Sequence, residues 1–448
     1  MESYKKQATS LEEVDFAVRH DIPVGAKHPY FVDFSGVRGN FEEKRIYKAF
    51  NVRSDFTYDY KLNQHNKTLL FLGGMRGSGK TSEIAKYVSK LENPECFFCI
   101  VCNIDKELDT NDVEYMDILI LQIEKLLKKA KEKNLKLDDE ILKELQQWFS
   151  KRVKHANRYL ESKIDTSIET KAGVPPLISF LNFSARIRAG ITGSRKTASQ
   201  IRTELKHNFT DFARLLNDFI EKTNEKIRKQ RKGQELFFVI DGIEKTMSAE
   251  TRKKIIIDES NRLQHIKANI LFTLPIELMP KIQKLKMFSH VATFPFVKVT
   301  EKDGTPVLPA IEKFKEFTGK RIKLDLFDNQ TTIEKAIIYS GGSPRELLRI
   351  YEEALFHADE KKGKITLNDL NKAIEVLAAE CSHYLTSKDL ELLKDLEEKN
   401  QQGKQVPYDE GWDKLLEHLI VLEYNDGTYK RVNPIVEASE IYKQYVKQ

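Results

Sequence analysis

One short stretch of this chain carries most of its chemistry. Gly74-Met75-Arg76-Gly77-Ser78-Gly79-Lys80-Thr81, with Ser82 following, fits the spacing G-x-x-x-x-G-K-[ST]. An apolar run, Leu69-Leu70-Phe71-Leu72, precedes it and an amphipathic helix start follows it. Glycines at 74, 77 and 79 let the main chain take positive φ and approach an anion closely. Successive N–H groups and the positive end of a helix starting near Lys80 then converge on phosphate. Lys80 is expected to reach the β- and γ-phosphates. Thr81 offers the hydroxyl that ligates Mg²⁺, whose octahedral oxygen shell is otherwise met by water, phosphate and a carboxylate. These residue types at this spacing predict a loop that binds a nucleoside triphosphate with Mg²⁺, with Met75, Arg76, Ser78 and Ser82 as part of it.

The carboxylate has a candidate. A second apolar run, Glu235-Leu236-Phe237-Phe238-Val239-Ile240, ends in Asp241-Gly242-Ile243-Glu244. In a parallel α/β sheet functional groups gather at the carboxyl ends of strands, so Asp241 would hold Mg²⁺ and Glu244 would polarise the attacking water. A strand-ending Asp-Gly turn without function is the plain alternative. A third run, Asn269-Ile270-Leu271-Phe272-Thr273, places Thr273 where a group sensing the γ-phosphate would sit, although a short buried strand before Pro275 needs no such role. Ser340-Gly341-Gly342-Ser343-Pro344-Arg345 reads as a tight turn into a helix, with Ser343 as cap and Pro344 at the first position. A cation in the first helical turn is disfavoured, so Arg345 calls for an anionic partner, the nucleotide phosphates, unless it is simply solvated.

The chain of 448 residues, 40% of them apolar, can build about two to four domains with real cores. Charge is 32% of the residues but nearly balanced at +6, which excludes a polyanion binder defined by bulk charge alone. No apolar run is long enough for a signal peptide or a membrane span, so a cytoplasmic protein with no membrane partner is expected. Cys96, Cys99 and Cys102 fall in one apolar run. A strand's period of two puts Cys96 and Cys102 on one face and Cys99 on the other, which argues for buried reduced thiols over a zinc site.

The elements that must position the chemistry read as an α/β fold: a P-loop parallel-sheet core with a helical insertion, then a helical lid and a C-terminal winged helix. The expected boundaries are 1–60 for an N-terminal linker over the nucleotide, 61–300 for the core, with an insertion at about 110–232, 301–362 for the lid and 363–448 for the winged helix. Within the insertion, Val113, Met116, Leu119, Ile123, Leu126, Leu127 and Ala130 mark one helix and 138–160 a second. Pro175, Pro176 and several glycines then break the pattern. A long helix follows through Ile201, Leu205, Phe209, Phe212, Leu216, Phe219 and Ile220. Residues 183–232 hold 13 Lys/Arg against 5 Asp/Glu, including Arg186, Arg188, Arg195, Lys196, Arg228, Lys229, Arg231 and Lys232. That cluster suits DNA or RNA contact, or else forms a solvated face. The last segment reads as helices Leu367–Glu380, Lys388–Glu398 and Asp413–Leu419 and a hairpin around Asn425-Asp426-Gly427. Its balance of 13 Lys/Arg against 16 Asp/Glu over 361–448 favours protein docking over duplex reading.

With GGMRGSGKT, FFVIDGIE, NILFTLP, SGGSPRELLRI and the terminal pattern in this order, the chain resembles the AAA+/STAND branch of P-loop ATPases. It looks closest to bacterial AAA-family ATPases related to the origin-binding initiator clade. The resemblance implies Walker A at Gly74–Thr81, Walker B at Asp241 and Glu244, sensor 1 at Thr273, sensor 2 at Arg345, and an adenine cover at 28–46. It further implies a slow ATPase acting as a conformational switch or scaffold, self-association or a separately encoded effector, and a place in defence against phage or mobile elements. An ATP-dependent DNA-binding initiator or loader is the alternative. The sequence departs from ring-forming relatives in having no arginine between Arg262 and Arg321, which leaves Arg262 or a partner's arginine as the finger.

Overall fold

The computed structural model describes residues 6–446 apart from 40, 42, 66, 157–173, 247, 286–289, 360, 362, 409 and 410. The apolar runs of the sequence become β1 (Leu69–Gly74), β2 (Phe97–Asn103), β3 (Glu235–Asp241), β4 (Asn269–Pro275) and β5 (His290–Phe294). They form one parallel sheet in the order β2-β3-β4-β1-β5. Every residue of β3 and β4 is buried, as a strand covered on both faces by helices must be. The alternation of side chains divides the sheet between two apolar layers. Phe71, Phe98, Ile100, Leu236, Phe238 and Ile270 face the inserted helices. Leu70, Leu72, Phe97, Phe237, Val239 and Leu271 face the helix after β1, Lys80–Leu91, and residues 41–58. Cys102 joins the first layer and Cys99 the second. Cys96 corrects the expected pairing with Cys102: it precedes the strand and turns into the Cys99 layer, because strand parity does not reach it.

The insertion is more helical than its prolines suggested. Helices Tyr115–Glu132 and Asp139–Ala156 are followed by Pro176–Gly193, in the stretch read as a break. Pro176 sits at the first helical position, where its missing N–H costs nothing, and Phe180, Phe183, Ile187 and Ile191 repeat at helical spacing on the buried side. Residues 157–160 of the second expected helix lie outside the described residues. The single long helix expected next is two, Arg195–His207 and Phe209–Lys229, broken at Asn208 while keeping one apolar face.

A second core gathers the lid helices Leu308–Gly319, Gln330–Tyr339, Pro344–His357 and Leu367–Ser382. Leu367–Ser382 packs on Pro344–His357, so the lid's core runs to Ala378, past residue 363 where the sequence placed the terminal domain. The N-terminal segment is split between the cores. Leu11, Val14, Ala17, Val32 and Phe34 join the lid, whereas Phe41, Ile46, Tyr47, Phe50 and Tyr58 join the sheet. The terminal module consists of helices Ser387–Gln401 and Trp412–Glu417 and a wing of antiparallel strands, β6 (Val421–Tyr424) and β7 (Tyr429–Val432). Among the described residues no helix is long and apolar enough to cross a membrane.

Candidate nucleotide site at the carboxyl end of the sheet

The loop from β1 into helix Lys80–Leu91 has Gly77 at φ 85° and Gly79 at φ 92°, conformations open to glycine at little cost. Gly79 caps the helix, whose first N–H groups and dipole face the cleft. Lys80 folds back over its own loop, donating to the carbonyls of Gly74 at 2.8 Å and Met75 at 3.0 Å, with Glu244 Oε1 3.8 Å away. Burial holds the ammonium below the ordinary lysine range, and the charges of Glu244 and Asp241 oppose that shift only in part. A phosphate would supply the missing counter-charge. Ser78 Oγ is buried with no hydrogen-bond partner, a second polar group of the loop left for a ligand.

Asp241, at the end of β3, is 3% exposed and ties β3 to β4 and to the start of helix Lys80–Leu91. Thr81 Oγ1 donates to its Oδ2 at 2.7 Å and Thr273 Oγ1 to its Oδ1 at 2.9 Å. Burial and the nearby Glu244 charge push its carboxyl above the ordinary aspartate range. Two oxygen ligands with excess negative charge beside a phosphate-binding loop are a donor set for Mg²⁺, a hard cation. Gly242, at φ 96°, then turns the chain into the short 3-10 helix Ile243–Lys245; a Cβ there would lie 2.6 Å from Asp105 Oδ1. That turn aims Glu244 at Lys80 and leaves Glu244 Oε2 buried without a partner. Thr273 is placed on Asp241 rather than directly on the cleft: its hydroxyl also accepts from the Gly242 N–H at 3.3 Å.

The opposite wall comes from the lid. Ser343 caps helix Pro344–His357 by accepting from the Glu346 N–H, and its hydroxyl donates to the Gly77 carbonyl at 3.3 Å. Arg345 lies against the same glycine, 3.2 Å from where a Cβ would stand. Burial and then the charge of Arg76 hold its guanidinium below the ordinary arginine range. The cleft between these walls is lined by Arg76, Gly77, Gly79, Lys80, Thr81, Ser82, Glu244, Pro344 and Arg345, by Ile22, Pro23 and Val24 of the N-terminal segment, and by Phe317 and Arg321 of the lid.

The sequence reading missed Arg38. It is 3% exposed, stacks 4.0 Å from the Phe294 ring centroid, and donates to the carbonyls of Ser78 at 2.9 Å and Pro295 at 2.7 Å. It therefore pins the phosphate loop to the end of β5, and no spacing in the sequence marks it. Arg262 does not line the cleft; it pairs with Glu259 and stacks on Phe209.

Within the basic stretch 183–232, much of the charge is met by carboxylates from elsewhere in the fold. Arg188 pairs with Glu124, Arg202 with Asp112 and Asp117, Lys206 with Glu114, and Lys226 with Asp138. Arg195, Lys196 and Arg231 stand exposed. The wing is packed inward. All four residues of β6 are buried, the Glu423 N–H donates to Met75 Sδ at 3.1 Å, and Tyr424 Oη donates to the Gly341 carbonyl at 2.7 Å.

A glycine loop between strand and helix, an acid ending a neighbouring buried strand, and a second acid three residues on, all at the carboxyl end of a parallel sheet, define a P-loop nucleotide-binding core of the Walker type. No family model matches the sequence, and no curated protein matches it either. Solved structures similar to it include the Walker-type ATPase PABY2304 of Pyrococcus abyssi, at 14% identity and a TM-score of 0.39 over 93% of this chain and 98% of that one. Another is Cdc6p from Pyrobaculum aerophilum, at 10% identity and a TM-score of 0.33 over 94% and 97%.

Proposed function

We propose that this protein is an ATP-binding and ATP-hydrolysing switch whose lid and terminal module respond to the nucleotide. One observation carries the reading: the cleft has the phosphate loop on one wall and the lid's Arg345 on the other, so a single ligand would touch both bodies. Lys80 and the loop N–H groups would hold the phosphates, with Thr81 and Asp241 holding Mg²⁺, which offsets phosphate charge. Glu244 Oε2, buried and unpartnered, is the free acceptor for a proton of the attacking water. Ile22, Val24 and Phe317 offer apolar surface for the base.

The coupling is a population shift. ATP moves the lid only by binding the closed arrangement more tightly than the open one, and Arg345 supplies that difference if it meets phosphate in the closed state alone. The recipient would be a further copy of this chain or a separately encoded effector, as a role in a defence system against mobile elements would require. Arg345→Ala is expected to abolish ATP-dependent protection of the lid and terminal module in hydrogen exchange and to reduce turnover by about 10-fold or more, the scale of a lost charge-assisted contact. Wild-type protection and turnover in that variant would overturn the switch.

A further inference from the structure

We propose that Arg76, inside the phosphate loop, grips the terminal phosphate together with Arg345, so that this chain supplies two arginines to its own nucleotide. The inference deepens the reading above and rests on it. Both side chains line the cleft that holds Lys80 and Glu244. Both also line the adjoining cavity with Lys245, Glu346, Arg349 and Glu417. Arg76 is absent from the apolar end of the cleft, where Val24, Tyr30, Phe34 and Phe317 lie, and Arg345 feels the charges of both Arg76 and Glu244, which sets the pair toward the Glu244 side.

Other cations around the cleft are already engaged. Lys245 pairs with Asp105 at 2.5 Å, Arg349 pairs with Glu346 at 3.5 Å and with Glu380, and Arg38 and Arg321 donate to backbone carbonyls. Arg76 and Arg345 differ: neither makes an ion pair or hydrogen bond with another described residue, and each lies close enough for the charge of Arg76 to weigh on Arg345. The charges of Glu346, Glu244 and Asp21 also reach Arg345, each with less effect than Arg76, and none of these carboxylates is bonded to either guanidinium; an anion between the two arginines turns their repulsion into attraction on both sides. A triphosphate extends towards Glu244 by one phosphate more than a diphosphate. The pair therefore selects the triphosphate, and it does so without a finger from a second copy. The span between Arg262 and Arg321, which holds no arginine, fits this arrangement.

The test is titration of the full chain with Mg²⁺ and either ADP or the β,γ-imido analogue of ATP. Arg76→Ala is expected to weaken the analogue by about 10-fold or more and ADP by less than about 3-fold, since only the former loses a charge-assisted contact. Arg76→Lys, which keeps the charge but not the fork, should fall between. Arg76 is exposed, so the melting temperature should not change. The wild-type preference for the analogue should be the same on dilution. Equal weakening of both ligands, no weakening, or a preference that fades on dilution would each overturn the proposal while leaving the nucleotide site intact. A wild-type chain that binds neither ligand would overturn the nucleotide reading itself.

Discussion

Thr273 shows how tightly single residues are shared at this site. Its hydroxyl donates to Asp241 Oδ1 and accepts from the Gly242 N–H, and all of these groups are buried. Thr273→Val keeps the shape of the side chain and leaves both partners unsatisfied. The expected cost is about 1–3 kcal/mol, read by urea denaturation of nucleotide-free protein. An unchanged midpoint would mean that neither contact supports the site. At this scale the sequence was legible wherever chemistry and local pattern coincide. Gly77, Gly79, Lys80 and Thr81 span one loop and the first turn of the helix after it, and Asp241 and Glu244 stand at and just past the end of one buried strand, so short-range spacing records them. Arg38 reaches Ser78 and Pro295 across the fold, and its role exists only once β1 and β5 are neighbours.

Elements were legible through their periodicity and obscured by their punctuation. The strands appear in the sequence as apolar runs because a parallel sheet buries both faces. The helix Pro176–Gly193 was hidden by a proline pair that starts it, although Phe180, Phe183, Ile187 and Ile191 already carried its period. The turn Gly341-Gly342 makes the opposite point, since both glycines are required by geometry. Gly342 has φ 77°, and a Cβ there would stand 1.6 Å from the Val297 carbonyl oxygen, backbone that cannot yield without moving the lid. Gly342→Ala should therefore cost more than about 2 kcal/mol and weaken nucleotide binding with it. Gly304→Ala is the control: φ is 85° there but the space is open, so only the conformational cost of about 1 kcal/mol is expected. Equal losses in the two variants would show that the lid turn tolerates displacement.

At the scale of the whole molecule, the sheet domain and the lid meet at the cleft, the terminal module lines the adjoining cavity through Glu417, and that module is fastened to the sheet domain by more than apolar contact. Helix Trp412–Glu417 packs on Ile276–Leu278, just beyond β4. Inside that contact Arg252 bonds Glu417 and the Thr246 carbonyl, and lies 3.3 Å from Glu277 without the alignment of a hydrogen bond. Glu277 is the strained member. Burial pushes its carboxyl up to about 7; Arg252 opposes the shift, and Glu417 and Asp413 add to it. Between the ordinary glutamate value of 4.5 and about 7, the folded protein holds a proton that the unfolded chain has released. Stability contributed by this group is thus present at low pH and lost as pH rises through about 7, on the order of 3 kcal/mol across the window. Glu277→Gln removes the titration while Arg252 keeps its other two partners. The variant should flatten the fall in stability between about pH 4.5 and about pH 7 and be the more stable protein at the upper end, measured by urea denaturation and by hydrogen exchange in Trp412–Glu417. If the variant keeps the wild-type slope, this carboxyl does not govern docking, and the terminal module is held by its apolar face alone.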